Sequence, residues 1–383
     1  MTRQEHATHP IQGHLTYRRM AIEVESPEQL GYEKIKYNLT ESSVTDTVWD
    51  ELDLDLKGLV LCYGDHLGNP ALREQVAGES SAITTDQVLV TAGAAAALFI
   101  INTTLLSKGD HMIVAHPNYI TNVETPRALG ADVSLLPLRF EEGWRITADA
   151  VARLLRPETK LVSLTSPHNP TGSVLSEKEL RAILALVEEK GCYLLMDETY
   201  RDMAFGKRPP LAASLSPRAI SVSSLSKAYG LPGIRIGWLI TQSPELQEAF
   251  LAAKEQIFIC GSVVDEEIAA RFLAQKATFL PKIQAHTKTN FEIVHGWMER
   301  NPAFEWVEPR GGTVCFPRIK EGIDLDIDRF YRFLNDKYKT FVGPGHWFEM
   351  NRRYMRIGFG WPSKEALVGG LSCITQALEE ARD

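Results

Sequence analysis

Cysteine is sparse in this chain and poorly placed for metal or redox chemistry. The five residues, Cys62, Cys192, Cys260, Cys315 and Cys373, are widely spaced and include no Cys-x-x-Cys pair. No zinc or dithiol site is therefore expected, and buried or part-buried free thiols are the simplest reading. Charges interrupt every apolar stretch before it reaches the roughly 20 residues needed to cross a bilayer, so no membrane partner is expected. The opening MTRQEHATHP lacks the apolar core of a secretion signal, which points to a cytoplasmic location. Basic blocks are missing too. With 49 acidic and 41 basic side chains and a formal charge of -8, no stripe would track a phosphate backbone, which argues against nucleic acid. Internal repeats, low-complexity tracts and coiled-coil heptads are also absent.

The chain does have length and apolar content. Its 383 residues, 44% of them hydrophobic, suffice for a large core and two domains. Residues 1–47 read as an N-terminal arm and part of a small domain. From 48 to 250, short β-rich runs alternate with amphipathic segments, the pattern of βαβ units over a mostly parallel sheet. Seven strands are expected: Val88–Val90, Met112–Ala115, Val133–Leu136, Leu161–Leu164, Tyr193–Met196, Ile220–Ser223 and Ile236–Ile240. Between two of them, SEKELRAILALVEEKG predicts a helix capped by Ser176, with Glu179 three residues on and Gly191 at its end. Residues 251–383, with GGTVCFPRI and YMRIGFG, read as a smaller α+β domain, and a cleft between the two would hold the ligand.

Lys227, in SLSKAYGLPGIRIGW, is the most informative residue, because a lysine between small hydroxyl residues and a glycine-rich turn can carry an aldehyde cofactor as an imine. Such a lysine needs phosphate donors, a carboxylate for a pyridinium nitrogen and a cation for a substrate carboxylate. Ser224, Ser226 and Arg235 can converge on a phosphate if the turn folds back. In TAGAAAALFI, Gly93 and Ala94 open an alanine-rich helix whose amides could meet the same anion; a tight turn without a ligand explains them equally well, and the segment is neither GxGxxG nor a P-loop. Asp197 ends a buried run and begins DETY, where it could face the ring nitrogen, with Glu198 pointing elsewhere. A helix cap or rim salt bridge is its plainer role. Tyr200 and Asn169, the latter in SPHNPTG, could donate to a phenolic oxygen, although Pro167 and Pro170 alone would explain that turn. Tyr119, in HPNYITN, could stack on a ring or pack in the core. Arg356 sits in an apolar strand and needs an anion, either a substrate carboxylate or an internal one.

SPHNPTG, DETY and SLSKAYGLPGIRIGW, in that order and spacing, resemble the class I/II aminotransferases of pyridoxal-phosphate fold type I, the aspartate aminotransferase-like group, over about residues 30–378. The resemblance implies an α/β fold, with a mostly parallel seven-stranded sheet in the large domain and a smaller α+β domain. It implies pyridoxal 5'-phosphate as cofactor and amino-group transfer between an L-amino acid and a 2-oxo acid. Lys227 then corresponds to the cofactor lysine and proton shuttle, and Asp197 to the partner of the ring nitrogen. Asn169 and Tyr200 correspond to the partners of the 3'-oxygen, and Tyr119 to the stacking aromatic. The phosphate would be held by Gly93, Ala94, Ser224, Ser226 and Arg235, and the substrate by Asn169 and Arg356; no metal is implied. A homodimer with shared sites is also implied, in which Tyr63, in CYGDHLGNPALREQV, reaches the other subunit's phosphate. The same residues would serve a lyase, cyclase or oxidative deaminase. A cofactor-binding transcription regulator is disfavoured, since the strand pattern begins too early for a helix-turn-helix domain. Two segments depart from the family's pattern: GYEKIKYNLTESSV lacks the usual glycine-centred phrase, and GPGHWFEM brings His346, Trp347 and Phe348 either to a side-chain pocket or to rim packing.

Overall fold

The computed structural model describes residues 15, 17–52 and 54–382. Two four-residue helices, α1 (Ala21–Val24) and α2 (Pro27–Leu30), lead into strand β1 (Tyr37–Leu39). Helix α3 (Pro70–Ala77) then precedes an alternating series: β2 (Val88–Thr91), α4 (Gly93–Leu105), β3 (His111–His116), α5 (Thr121–Ala128), β4 (Asp132–Pro137), α6 (Ala148–Ala152), β5 (Thr159–Thr165), α7 (Glu177–Lys190), β6 (Tyr193–Asp197), β7 (Ala219–Ser224) and β8 (Gly237–Thr241). These seven strands form one sheet in the order β2-β8-β7-β6-β5-β3-β4. Only β8 runs antiparallel to its neighbours. All seven expected strands are present, most extended by one to three residues. The last begins at Gly237 instead of Ile236, because Arg235 just before it takes a left-handed φ of 53°.

The sheet is covered on both faces, which is why its strands read as continuous apolar runs. Leu161, Leu195 and Ile220 pack with Leu98 and Ile101 of α4 on one face, while Val162, Leu194 and Met196 pack with Ile183, Leu184 and Val187 of α7 on the other. The boundaries of α7 are those expected. Ser176 Oγ accepts from Glu179 N at 3.2 Å, and Gly191 closes the helix in the left-handed conformation. The reciprocal half of the capping box is missing, because the Glu179 carboxylate accepts from Ala148 N at 2.9 Å.

Helices α8 (Pro244–Phe258), α9 (Val263–Ala274) and α10 (Lys276–Arg300) follow. The boundary expected at residue 250 thus falls inside α8, where Phe250 packs with the large sheet's core, and Ile268 and Phe272 of α9 join Leu72 and Val76 of α3. Short strands β9 (Phe304–Glu305), β10 (Val314–Cys315) and β11 (Arg318–Ile319), helix α11 (Ile327–Arg332), strands β12 (Thr340–Pro344) and β13 (Met355–Gly358), and helix α12 (Lys364–Arg382) complete the chain. A second sheet has the order β1-β12-β13-β10, with β1 parallel to β12. Leu39, Val342, Met355 and Ile357 close a separate core with Leu367, Leu371 and Ile374 of α12. The N-terminal segment is thereby fastened to the C-terminal one. Among the described residues, no helix is long and apolar enough to cross a membrane, and no His, Cys, Asp and Glu cluster could hold a metal.

Candidate active site

In a mostly parallel sheet the C-terminal strand ends share one edge, and ligands bind there. Thr91 of β2, His116 of β3, Thr165 of β5, Asp197 of β6 and Ser224 of β7 all end at this edge. Antiparallel β8 starts there, which brings in Arg235. A cavity of about 280 Å³ lies against the edge. Ala94, Tyr119, Asn169, Asp197, Tyr200, Ser224, Ser226, Lys227, Arg235 and Arg356 all line it.

Lys227 follows β7, and its backbone carbonyl accepts from Val44 N at 3.0 Å. Burial lowers the pKa of its amine, which favours the neutral, nucleophilic form. Asp197 is held by Thr199, whose N and Oγ1 donate to Oδ1 at 3.1 and 2.6 Å. Burial nonetheless raises its pKa, with the Thr199 bonds and the Lys227 charge opposing. A buried carboxylate in that condition gains from a cation placed against it. Glu198 turns away, as strand alternation requires. It accepts from Ala212 N at 2.9 Å, and burial pushes it up to about 8.

The anion-binding corner is built by close approach. Gly93 has a φ of +77°, and a Cβ there would meet Arg235 Nη2 at 2.6 Å. A Cβ on Gly237 would meet Gly93 C at 2.5 Å and Ala94 N at 2.6 Å. Both positions therefore require glycine. Arg235 Nη1 donates to Pro232 O at 2.8 Å and Ser226 Oγ at 3.4 Å, and Ser226 N donates to Ser224 Oγ at 3.3 Å. Gly93 itself sits behind the lining, under Arg235.

Arg356 comes from β13 and is only 4% exposed. Its Nη1 donates to Asn169 Oδ1 at 3.1 Å and its Nη2 to Thr40 O at 2.6 Å, while Nε has no partner. Its guanidinium lies 5.1 Å from the centre of the Phe348 ring. Trp347 lines the cavity, its Nε1 donating to Glu25 Oε2 at 2.7 Å. His346 pairs with the same Glu25 oxygen at 2.8 Å outside the lining, so it is a rim residue. Tyr63 is 82% exposed and does not line this chain's cavity.

Several lining residues escaped the sequence reading. Asn118 accepts from Tyr119 N at 2.7 Å and from Asn122 Nδ2 at 3.1 Å, leaving its own buried Nδ2 without a partner. Its signal was the polar turn HPN after β3. Glu23, Glu28, Glu41 and Ser42 also line the cavity, and no local motif marks them.

The family profile "Aminotransferase class I and II" matches residues 34–367. An arginine–pyruvate transaminase of Pseudomonas aeruginosa is 34% identical over 336 residues, covering 83% of this chain and 84% of that protein. A capreomycidine synthase of Streptomyces vinaceus is 30% identical over 327 residues, covering 85% and 82%. The crystal structure of a PLP-dependent aminotransferase from Streptococcus suis superimposes with a TM-score of 0.87 at 29% identity, covering 94% of this chain and 97% of that one. This chain belongs to the class I and II aminotransferase family and is a pyridoxal-phosphate-dependent aminotransferase.

Proposed function

We propose that the edge cavity is where this chain moves an amino group between an L-amino acid and a 2-oxo acid, with pyridoxal 5'-phosphate held by the residues that line it. The observation that carries this reading is the convergence of Lys227, Asp197, Arg235 and Arg356 on one cavity. The donor set fits the cofactor in three respects. The corner at Arg235, kept tight by Gly93 and Gly237 behind the lining, suits a phosphate, the buried Asp197 suits a protonated ring nitrogen, and the unpartnered Asn118 Nδ2 awaits an acceptor. When bound, the cofactor supplies the electron sink for charge developing at the substrate α-carbon.

The side chains divide the remaining work. Ser224, Ser226, Arg235 and the Gly93 and Ala94 amides hold the phosphate. Tyr200, kept protonated because burial raises its pKa, donates to the ring's phenolic oxygen together with Asn169 Nδ2, and Tyr119 packs against the ring. Arg356 Nε takes the substrate α-carboxylate, its two Nη groups being braced by Asn169 and Thr40. Lys227 Nζ removes the α-proton as general base. Tyr63 of the partner subunit completes the phosphate site in a homodimer, a reading supported by its exposure beside Leu61 and Ile259 in one surface depression.

The test uses cofactor-loaded enzyme, donors carrying ¹⁵N in the α-amino group, and an unlabelled 2-oxo acid. The label should appear in the newly formed amino acid, and Lys227→Ala should lower the rate by at least about 10³-fold. The likeness to a synthase at 30% identity favours one second reading, ring closure or elimination on the same carbanion. Label kept in a cyclised product, or released as ammonium with an oxo acid formed from the donor, and in either case none passed to the added oxo acid, would establish that reading instead.

A further inference from the structure

The cavity holds more carboxylates than this function uses. Among its charged lining residues, Asp197, Lys227, Arg235 and Arg356 are assigned to the cofactor or the α-carboxylate, which leaves Glu23, Glu28 and Glu41. None of these three is paired with a cation among the described residues. Glu41 Oε1 accepts from two neutral donors, Tyr32 Oη at 3.3 Å and Asn38 Nδ2 at 3.2 Å. Glu23 Oε2 accepts from Met20 N at 3.1 Å, and Glu28 is exposed at the cavity mouth.

A second observation fixes where a ligand must lie. Arg356, buried and with Nε unpartnered, marks the place of a carboxylate, and the carbonyl of Thr40 that braces it adjoins Glu41 in the chain. A ligand anchored on Arg356 therefore has Glu41 beside it. Ile22 and Trp347 supply apolar lining suited to methylene groups, with the Trp347 ring fixed by Glu25. No further Lys, Arg or His lines the cavity among the described residues, so this chain's own wall offers no cation to a second substrate carboxylate. A dicarboxylic donor would meet three like charges instead, whereas a cation would be paired.

We propose that the amino donor carries a cationic side chain, an ammonium or guanidinium group on a methylene stem, recognised by Glu41, Glu28 and Glu23. This rests on the transaminase reading of the same cavity, so its test needs an arm that does not depend on turnover. Argininic acid, in which a hydroxyl replaces the α-amino group, and 2-hydroxyhexanoic acid, its uncharged counterpart, would be titrated calorimetrically into the cofactor-loaded enzyme. The cationic ligand should bind at least about tenfold more tightly, and the preference should shrink in Glu41→Gln, in Glu28→Gln and at high salt. Equal affinities, or a preference unchanged in both variants, would overturn the proposal whatever the enzyme's activity. In turnover, kcat/KM for L-arginine, L-lysine or L-ornithine should exceed that for L-citrulline, L-norleucine and L-aspartate by a similar factor. Faster reaction of the neutral or dicarboxylic donors would overturn the proposal and leave transamination standing. Tight cationic binding with no label transfer from any donor would instead support the proposal's ligand class and overturn the transaminase reading.

Discussion

Asp197 and Glu198 leave the end of β6 in opposite directions, and the difference decides what each can do. Asp197 meets the cavity, where a cation can stabilise its charge. Glu198 is 4% exposed beneath it and keeps its proton up to about pH 8 because burial disfavours the anion. In the unfolded chain the same group titrates near 4.5. Between these values the folded state binds the extra proton, so this group's contribution to stability falls as pH rises from about 4.5 to 8 and is level above. Glu198→Gln should therefore melt increasingly above the parent as pH is raised from 5.5 to 8, by on the order of a few kcal/mol at the upper end. A melting difference independent of pH would mean that Glu198 is ionised throughout. At this scale the lining of the cavity was largely legible, because Lys227, Asp197 and Asn169 lie in phrases whose combination and order are specific although each alone has an ordinary reading, and Arg356 stood out as an arginine in an apolar strand. Asn118 was not, since one asparagine in a turn has many ordinary uses.

The junction between elements that matters most is the crossing of the β8 start over the N-terminus of α4. Gly237→Ala would push a methyl into Gly93 and Ala94, displacing the amides proposed above to meet the phosphate. Cofactor affinity should fall by roughly tenfold or more, the scale of a 1–3 kcal/mol overpacking cost. Gly233→Ala has open space around its Cβ and serves as the control; a titration showing equal loss in both would refute the crossing argument. Helix α7 offers a purely conformational case. Gly191 has a φ of +70° and nothing within 4 Å of an added Cβ, so Gly191→Ala should cost about 1 kcal/mol in denaturant melts without affecting turnover. The α7 boundaries were readable because caps are local, whereas the partner of Glu179 was not, since Ala148 reaches it only through the tertiary packing of α6 on α7.

For the whole molecule, Leu61, Tyr63 and Ile259 stand 76%, 82% and 47% exposed around one depression, a grouping of apolar side chains that suits the subunit contact proposed above. In the homodimer proposed here, sedimentation should give twice the 42.8 kDa chain mass. Leu61→Asp should shift the equilibrium toward monomer and lower activity, and activity should recover as enzyme concentration is raised. Tyr63→Phe should stay dimeric and bind the cofactor more weakly by roughly tenfold or more, the loss of one hydrogen bond to a charged group. A fully active monomer would exclude shared sites.

The sequence by itself determined the sheet and its chemistry. Buried β-rich runs specify strands locally, and most of the groups proposed to hold a phosphate, to meet a ring nitrogen and to supply a reactive lysine fall within a few short phrases. Only the tertiary structure decided which residues from the two ends of the chain share the cavity wall. Strand β1, at residues 37–39, pairs in parallel with β12, at residues 340–344, and this places Thr40 and Glu41 against Arg356 from the far end of the chain. No periodicity or motif encodes that meeting. It follows from burying Leu39 with Val342 and Ile357 in one core, a long-range apolar contact that brings the otherwise unremarked Glu41 to the cavity.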